Sequence, residues 1–133
     1  LRVLVVDDNR AAAETLGMLM ELMGNEVRLA GGGEEAVHRA GEFRPHLLLM
    51  DLGMPGVDGY EAARRIRREA WGRDLVLVAL TGWGQEEARE RARAAGFDRH
   101  VVKPVEPRVL EELLREGRDR APGDAASRSK GSG

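Results

Sequence analysis

Short apolar runs alternate with amphipathic stretches along most of the chain. Between the runs, apolar residues recur every three or four positions, which is the spacing of a helix with one buried face. Ala12, Leu16, Leu19 and Met23 show this spacing. We predict that each apolar run is a β-strand. The predicted strands cover residues 1–6, 26–30, 46–50, 75–80 and 99–102. The pattern therefore predicts a strand followed by a helix, five times over.

This alternation predicts an α/β fold, in which a mostly parallel sheet carries helices on both faces. The continuous apolar runs 47–50 and 75–80 are typical of buried central strands, whereas Val27 and Leu29 alternate with polar neighbours. An edge position for the second strand favours the order 2-1-3-4-5. We therefore expect a flavodoxin-like (βα)5 doubly wound sheet. Ligands of such sheets bind at the carboxyl ends of the strands, beside the reversal between the first and third.

The domain is predicted to cover residues 1–116, followed by a flexible tail over 117–133. No branched aliphatic, methionine or aromatic residue follows Leu114, and the last residues are rich in Gly, Ser, Arg and Asp. Such a segment has too little apolar surface to fold. Because Leu1 already belongs to an apolar strand, we also expect that upstream sequence has been removed.

Composition narrows the class of protein. The 133 residues contain no cysteine and carry a formal net charge of −2, with acidic and basic residues interspersed. Disulfides and thiolate metal sites are therefore excluded. No broad basic surface calls for nucleic acid, and no apolar run approaches the roughly 18 residues of a membrane span. We expect a cytoplasmic domain without direct contact to nucleic acid or membrane. The arginines at 64, 65, 67 and 68 are interpreted as a solvated helix face.

Polar residues follow four of the predicted strands at their carboxyl ends. These residues are Asp7, Asp8, Asp51, Thr81 and Lys103. Helix capping or turn closure explains each residue singly. Together they converge on one rim of the sheet. Lysine occurs only at 103 and 130 among 21 basic residues, so Lys103 indicates a need for a compact charge on a flexible stem.

Three carboxylates on one rim require a positive partner. Each pair about 4 Å apart repels by ~4 kcal/mol at an effective dielectric near 20. Carboxylates without histidine or cysteine favour a hard ion, so we expect Mg²⁺, with Mn²⁺ as an alternative. Mg²⁺ sites are typically completed by waters and a phosphate, which predicts a phosphoryl group here. One carboxylate can be the nucleophile and form an aspartyl phosphate.

Four ordered motifs resemble a known family, the receiver domains of bacterial response regulators and hybrid histidine kinases. They are VLVVDDN at 3–9, LLLMDLGMPGVDG at 47–59, ALTG at 79–82 and AAGFDRHVVKPVEP at 94–107. The resemblance covers residues 1–116 and is strongest to receivers of hybrid sensor histidine kinases. It implies a phosphoacceptor domain that takes a phosphoryl group from the phosphohistidine of a histidine kinase or phosphotransfer domain.

The resemblance also implies a role for each rim residue. Asp51 would be the phosphoacceptor. The direct metal ligands would be Asp51, Asp8 and the Gly53 carbonyl, with Asp7 assisting through water. Thr81 and Lys103 would bind the phosphoryl oxygens. A cis peptide before Pro104 would aim Lys103 into the cleft, and the Met54-Pro55-Gly56 turn and Gly59 would shape the loop after Asp51.

Two further positions are open to two interpretations. At His100, many family members carry an aromatic residue that turns inward on activation. Histidine is either a variant of that switch or a half-buried strand residue without a signalling role. Trp83 either lies beside the phosphoryl site, where it would exclude water and slow hydrolysis, or is a surface tryptophan.

The sequence leaves the wider setting open. Segment 82–106 is the expected output surface, because its helical part, 85–95, offers only alanines for burial. The downstream partner is not identified. We favour the C-terminal receiver of a hybrid sensor histidine kinase over a stand-alone response regulator. Less favoured are a Mg²⁺-dependent aspartyl-phosphate phosphohydrolase and a degenerate receiver. A receiver alone would be no conventional enzyme, performing only its own phosphorylation and dephosphorylation.

Overall fold

The computed structural model describes residues 1–53, 59–82 and 86–120. Five strands lie within these ranges: β1 (Arg2–Val6), β2 (Glu26–Ala30), β3 (Leu47–Asp51), β4 (Val76–Thr81) and β5 (Arg99–Val102). The helices are α1 (Arg10–Leu22), α2 (Gly33–Phe43), α3 (Gly59–Arg68), α4 (Glu86–Ala95) and α5 (Pro107–Arg120), with a 3₁₀ turn at Ala70–Gly72. Each predicted strand is present to within one residue at either end.

The strands form a parallel sheet in the order β2-β1-β3-β4-β5, as the hydrophobic pattern predicts. In β2, Val27 and Leu29 are half-buried and alternate with exposed Glu26 and Arg28, which confirms its edge position. The chain reverses its direction across the sheet between β1 and β3. Polar residues that end these two strands therefore face a common cleft.

The sheet is covered on both faces because β3 and β4 are apolar at every position before their last residue. One set of strand residues, which includes Val5, Leu49 and Val78, packs against α1 and α5. The alternate set, which includes Leu48 and Leu77, packs against α2, α3 and α4. Burial on both faces explains why the runs in β3 and β4 are continuous rather than alternating.

Several of the helix ends carry common capping residues. The Asn9 side chain accepts a hydrogen bond from the Ala12 backbone N–H at 3.0 Å and caps α1. Gly24 and Gly96 follow α1 and α4 with φ values of 93° and 110°. Gly41 lies inside α2 against the Trp71 ring, while Arg44, with φ of 51°, ends that helix.

The last helix continues beyond the predicted domain boundary at residue 116. Gly117 is buried, and a Cβ there would lie 3.1 Å from the Leu1 side chain, so the helix packs closely on the start of the sheet. Arg120 forms ion pairs with Asp98 and Glu116. These contacts keep residues 117–120 in α5 rather than in a tail. Residues 121–133 lie outside the described part of the chain.

The arginine cluster of α3 is not wholly a solvated face. The Arg67 guanidinium donates hydrogen bonds to the backbone carbonyls of Gly72, Leu75 and Gly96. It also forms an ion pair with Asp98 at 2.7 Å, with both side chains only 19% exposed. Arg67 therefore connects α3 to the segments that lead into β4 and β5. The prediction of a solvated face is wrong for this residue, because its guanidinium contacts these backbone carbonyls and Asp98 instead of solvent.

Candidate functional site

Three aspartates meet at the carboxyl ends of β1 and β3. Asp7 follows β1, and its backbone N–H donates to the Ala30 carbonyl of the edge strand at 3.0 Å. Asp51 is the last residue of β3. Asp7, Asp8 and Asp51 each offer a carboxylate oxygen, and these oxygens lie within 4.8 Å of one another. Asp7 and Asp51 are buried, whereas Asp8 is exposed. The predicted acidic cluster is therefore assembled by the fold.

Backbone groups hold the two buried carboxylates in place. The Asn9 N–H donates to Asp7 Oδ1 at 2.9 Å, and the Gly53 N–H donates to Asp51 Oδ1 at 3.0 Å. Gly53, two residues after Asp51, is exposed, so its backbone lies at the mouth of the cleft. Both carboxylates are thus fixed by the turns that follow their own strands.

The lysine predicted to join this site does so. Lys103 Nζ lies 3.2 Å from Asp51 Oδ1. Its backbone N–H donates to the Thr81 carbonyl at 2.7 Å, which places it just beyond the β4–β5 pairing. The Lys103–Pro104 peptide bond is cis. One positive side chain therefore contacts the carboxylate at the centre of the cluster.

The single positive charge of Lys103 does not balance the negative charges of the three aspartates. Burial raises the pKa of Asp7 above its ordinary range, and the neighbouring Asp51 carboxylate raises that pKa further. The Asn9 hydrogen bond and the Lys103 charge act in the opposite direction without cancelling the rise. A raised carboxyl pKa means that the pocket disfavours its own negative charge. A divalent cation with oxygen ligands would relieve this penalty, and the donor set fits one.

Thr81 closes β4 on the far side of Asp51 from Asp7. It is buried, and its Oγ1 lies 3.2 Å from Nε2 of His100. Sequence reasoning did not predict this contact. The strand register could have indicated it, because His100 pairs with Ala79 and so lies on the same sheet face as Thr81.

The loop after Asp51 was predicted to depend on a turn and a glycine. The Met54-Pro55-Gly56 turn lies outside the described residues, as does Trp83. Gly59 begins α3, and a Cβ there would come within 2.7 Å of the Leu52 side chain. Glycine at this position lets α3 approach the end of β3 closely.

The clustered aspartates and the lysine beside them lie in a segment that matches a known sequence family. The family model of the response regulator receiver domain matches residues 3–115, and this span contains every site residue placed above. The chain belongs to the receiver domain family. It is therefore a receiver domain of two-component signal transduction.

Receivers of different parent proteins resemble this one. It is 34% identical over 114 residues to the signal transduction histidine-protein kinase BarA of Shigella flexneri, covering 86% of this chain and 12% of that kinase. It is 36% identical over 126 residues to the virulence sensor protein BvgS of Bordetella bronchiseptica, covering 91% and 10%. A 14.6 kDa protein of Leptolyngbya boryana is 35% identical over 114 residues, covering 86% and 87%. The matched segment is a small part of BarA and BvgS and most of the Leptolyngbya protein.

Solved receivers share the fold closely. The receiver domain of a Pseudomonas aeruginosa sensor histidine kinase, with a magnesium ion coordinated in its active-site cleft, is 32% identical with a TM-score of 0.78. The match covers 86% of this chain and 93% of that one. A chain in the co-crystal structure of the Saccharomyces cerevisiae phosphotransfer protein Ypd1 and the Ssk1 receiver is 29% identical with a TM-score of 0.81. That match covers 91% of both chains.

The helices of the described residues are at most 14 residues long, which is the length of α5. Within residues 1–53, 59–82 and 86–120, none is long and apolar enough to cross a bilayer.

Proposed function

We propose that this receiver accepts a phosphoryl group on Asp51 with the aid of Mg²⁺, for which Mn²⁺ can substitute. Asp51, Asp8 and the Gly53 carbonyl would hold the ion directly, and Asp7 would hold it through water. The proposal rests chiefly on one observation: three carboxylates lie within 4.8 Å of one another, and Lys103 contacts Asp51. The magnesium-containing Pseudomonas receiver, with the same fold, supports the choice of ion.

The proposed reaction is a phosphoryl transfer between side chains. A carboxylate oxygen of Asp51 forms the new P–O bond while the P–N bond of a phosphohistidine breaks, and the electron pair stays on the imidazole nitrogen. Lys103 and Thr81 bind the phosphoryl oxygens and stabilise their charge. The hydrogen bond from Gly53 to Asp51 fixes the orientation of the nucleophile. Mg²⁺ held by these residues would supply positive charge to offset both the carboxylates and the transferring group.

We propose a protein as phosphodonor, either a histidine kinase or a histidine phosphotransfer domain. An apolar groove runs from the site along α1, and it is lined by Asp7, Lys103 and the side chains of Met18, Leu19 and Leu22. Met18 and Leu22 are 62% and 84% exposed, which is unusual for residues of this size. A helix of the donor seated on this groove would carry its phosphohistidine to Asp51. The yeast receiver paired with a phosphotransfer protein supports this choice.

The output surface is proposed to be segment 82–106. Within α4, only Ala92 and Ala95 are buried, so this helix gains little energy from its packing. Phosphorylation that draws Thr81 toward Asp51 would shift a weakly held neighbour. We expect a changed rate of amide exchange in α4 when a beryllium fluoride complex replaces the phosphoryl group, and an unchanged rate would count against this surface.

We propose that the parent protein is a hybrid sensor histidine kinase acting in the cytoplasm. The matches to BarA and BvgS support this setting. The match to the small Leptolyngbya protein supports the alternative, a stand-alone regulator.

Phosphorylation with phosphoramidate tests the proposed acceptor. We expect metal-dependent, hydroxylamine-sensitive label on the wild type and none on Asp51→Asn. The matched control is Asp74→Asn, an exposed aspartate before β4 at the opposite end of the sheet, which should be labelled like the wild type. Equal labelling of Asp51→Asn and wild type, or labelling insensitive to a chelator, would refute the proposal.

A further inference from the structure

Thr81 and His100 form a side-chain pair between the ends of β4 and β5. Oγ1 of Thr81 lies 3.2 Å from Nε2 of His100. The other ring nitrogen, Nδ1, is buried without a hydrogen-bond partner among the described residues. The two nitrogens of His100 are therefore in different surroundings. This difference decides which of them carries the hydrogen.

The surroundings of His100 favour the neutral form of its ring. Burial lowers its pKa, and the guanidinium of Arg89 on α4 lowers that pKa further. The cleft beside the ring is also lined by Arg93, Arg99 and Asp98. Arg93 forms an ion pair with Glu90, and Arg99 forms ion pairs with Glu112 and Glu116, so the charges of these two arginines are compensated. Asp98 already forms ion pairs with Arg67 and Arg120, so its charge is compensated.

A neutral imidazole carries one hydrogen, on Nδ1 or on Nε2. A hydrogen on Nδ1 would be a buried N–H without a described partner, and such orphan donors are rare in folded proteins. A hydrogen on Nε2 is donated to Thr81 Oγ1. The surroundings therefore favour the Nε2–H tautomer, with Thr81 as acceptor.

This direction of the hydrogen bond matters for phosphoryl binding. A threonine hydroxyl has one hydrogen to donate, and phosphoryl oxygens only accept. If the threonine donated to His100, that hydrogen would be withheld from the phosphoryl group. With His100 as donor, the bond orients the hydroxyl without using its hydrogen.

We infer that His100 is a positioning residue for phosphoryl transfer: its Nε2–H holds the Thr81 hydroxyl so that the threonine donates its own hydrogen to the phosphoryl oxygens. This inference rests on the proposed phosphorylation of Asp51 and adds a residue to it. His100 itself does not touch the phosphoryl group. Its effect is transmitted through Thr81.

Nuclear magnetic resonance of the ¹⁵N-labelled histidine rings tests the tautomer in the intact chain. We expect the Nε2–H pattern for His100, both in the free protein and with Mg²⁺ and beryllium fluoride bound. An Nδ1–H pattern in either state would overturn the inference. This measurement requires no variant and no phosphorylation.

Two substitutions test the consequence for transfer. His100→Phe keeps a ring but removes the donor, whereas the amide N–H of His100→Gln can replace Nε2–H. Because His100→Phe loses one neutral hydrogen bond, we expect saturating phosphoramidate to label it about 3- to 10-fold more slowly than the wild type. We expect His100→Gln to stay within about 2-fold of wild type on the same basis. The exposed His38 supplies the control, His38→Gln, which should match the wild type.

The outcomes separate this inference from the proposed function. The loss in His100→Phe should fall on the rate at saturating phosphodonor, while Mg²⁺ affinity and the half-saturating donor concentration remain unchanged. Circular dichroism and urea unfolding check that each variant is folded. Equal rates for His100→Phe and wild type, or no rescue by His100→Gln, would overturn the role of His100 alone. No label on Asp51 in the wild type would overturn both.

Discussion

The substitution Asp7→Asn should stabilise the metal-free receiver while weakening its response to Mg²⁺. Asparagine keeps an oxygen that can accept the Asn9 N–H bond, so the turn after β1 is retained. The change removes one of three negative charges from the cluster. It therefore separates the electrostatic penalty of the site from its packing.

The size of the effect follows from the geometry. Two carboxylate oxygens 4.8 Å apart, the limit within which these ligand atoms lie, repel by about 3.5 kcal/mol at an effective dielectric near 20. The Lys103 charge offsets part of this repulsion for Asp7, and solvent at the mouth of the cleft screens more of it. We expect Asp7→Asn to raise the free energy of unfolding without metal by about 1–2 kcal/mol, or about 4–8 °C in Tm.

The raised pKa of Asp7 gives this prediction a pH dependence. The folded state binds a proton at Asp7 more readily than the unfolded state does, so the penalty is present above the raised pKa. It disappears as the pH falls toward the ordinary aspartate pKa of about 3.9. The advantage of Asp7→Asn over wild type should therefore shrink as the solution is acidified.

Urea unfolding with and without Mg²⁺ measures both effects. At 100 times its Kd, Mg²⁺ should stabilise the wild type by about 2.7 kcal/mol. Loss of a water-mediated ligand should weaken metal affinity by about 10-fold or more, which reduces this gain. Asp74→Asn is the control for the removal of an exposed carboxylate. If Asp7→Asn were no more stable than wild type without metal, or responded equally to Mg²⁺, the reasoning would be wrong.

Two further predictions concern residues behind the site. Arg67→Ala should lower the free energy of unfolding by about 3–4 kcal/mol, because it leaves the Asp98 carboxylate and three backbone carbonyls without this hydrogen-bond donor. The control is Arg68→Ala, which should change the free energy of unfolding by less than about 0.5 kcal/mol. A loss below about 1 kcal/mol in urea unfolding would contradict the first value. Because the pKa of His100 is lowered, the folded state binds fewer protons than the unfolded state. Wild type should lose stability relative to His100→Phe as the pH falls below about 6.5, and a pH-independent difference would argue against this.

Local patterns in the sequence were sufficient for the architecture and for the membership of the acidic cluster. β3 and β4 are apolar along both faces because both faces are buried, whereas β2 alternates because one of its faces is exposed. This difference indicates which strands are central and which strand lies at the edge. Parallel strands bring their carboxyl ends to one edge, so residues that end β1 and β3 must meet there. For that reason the strand pattern alone is enough to group Asp7, Asp8 and Asp51.

Patterns of this kind cannot predict contacts that depend on long side chains or on exact register. Arg67 looked like one member of an exposed cluster, because it lies among the arginines at 64, 65 and 68. Only the packing of α3 beside the segments before β4 and β5 turns its guanidinium inward. The extension of α5 to Arg120 likewise depends on Gly117 fitting against Leu1, a contact between residues far apart in the sequence.

The sequence by itself determined the alternation of strands and helices, the parallel sheet and the set of polar residues at its carboxyl rim. These features follow from hydrophobic periodicity and from the positions where strands end, both of which are local. Only the tertiary structure decided how the rim residues are paired: Lys103 with Asp51, and Thr81 with His100. Side-chain pairing across strands depends on interatomic distances and on burial, which are set by the packing of the whole domain.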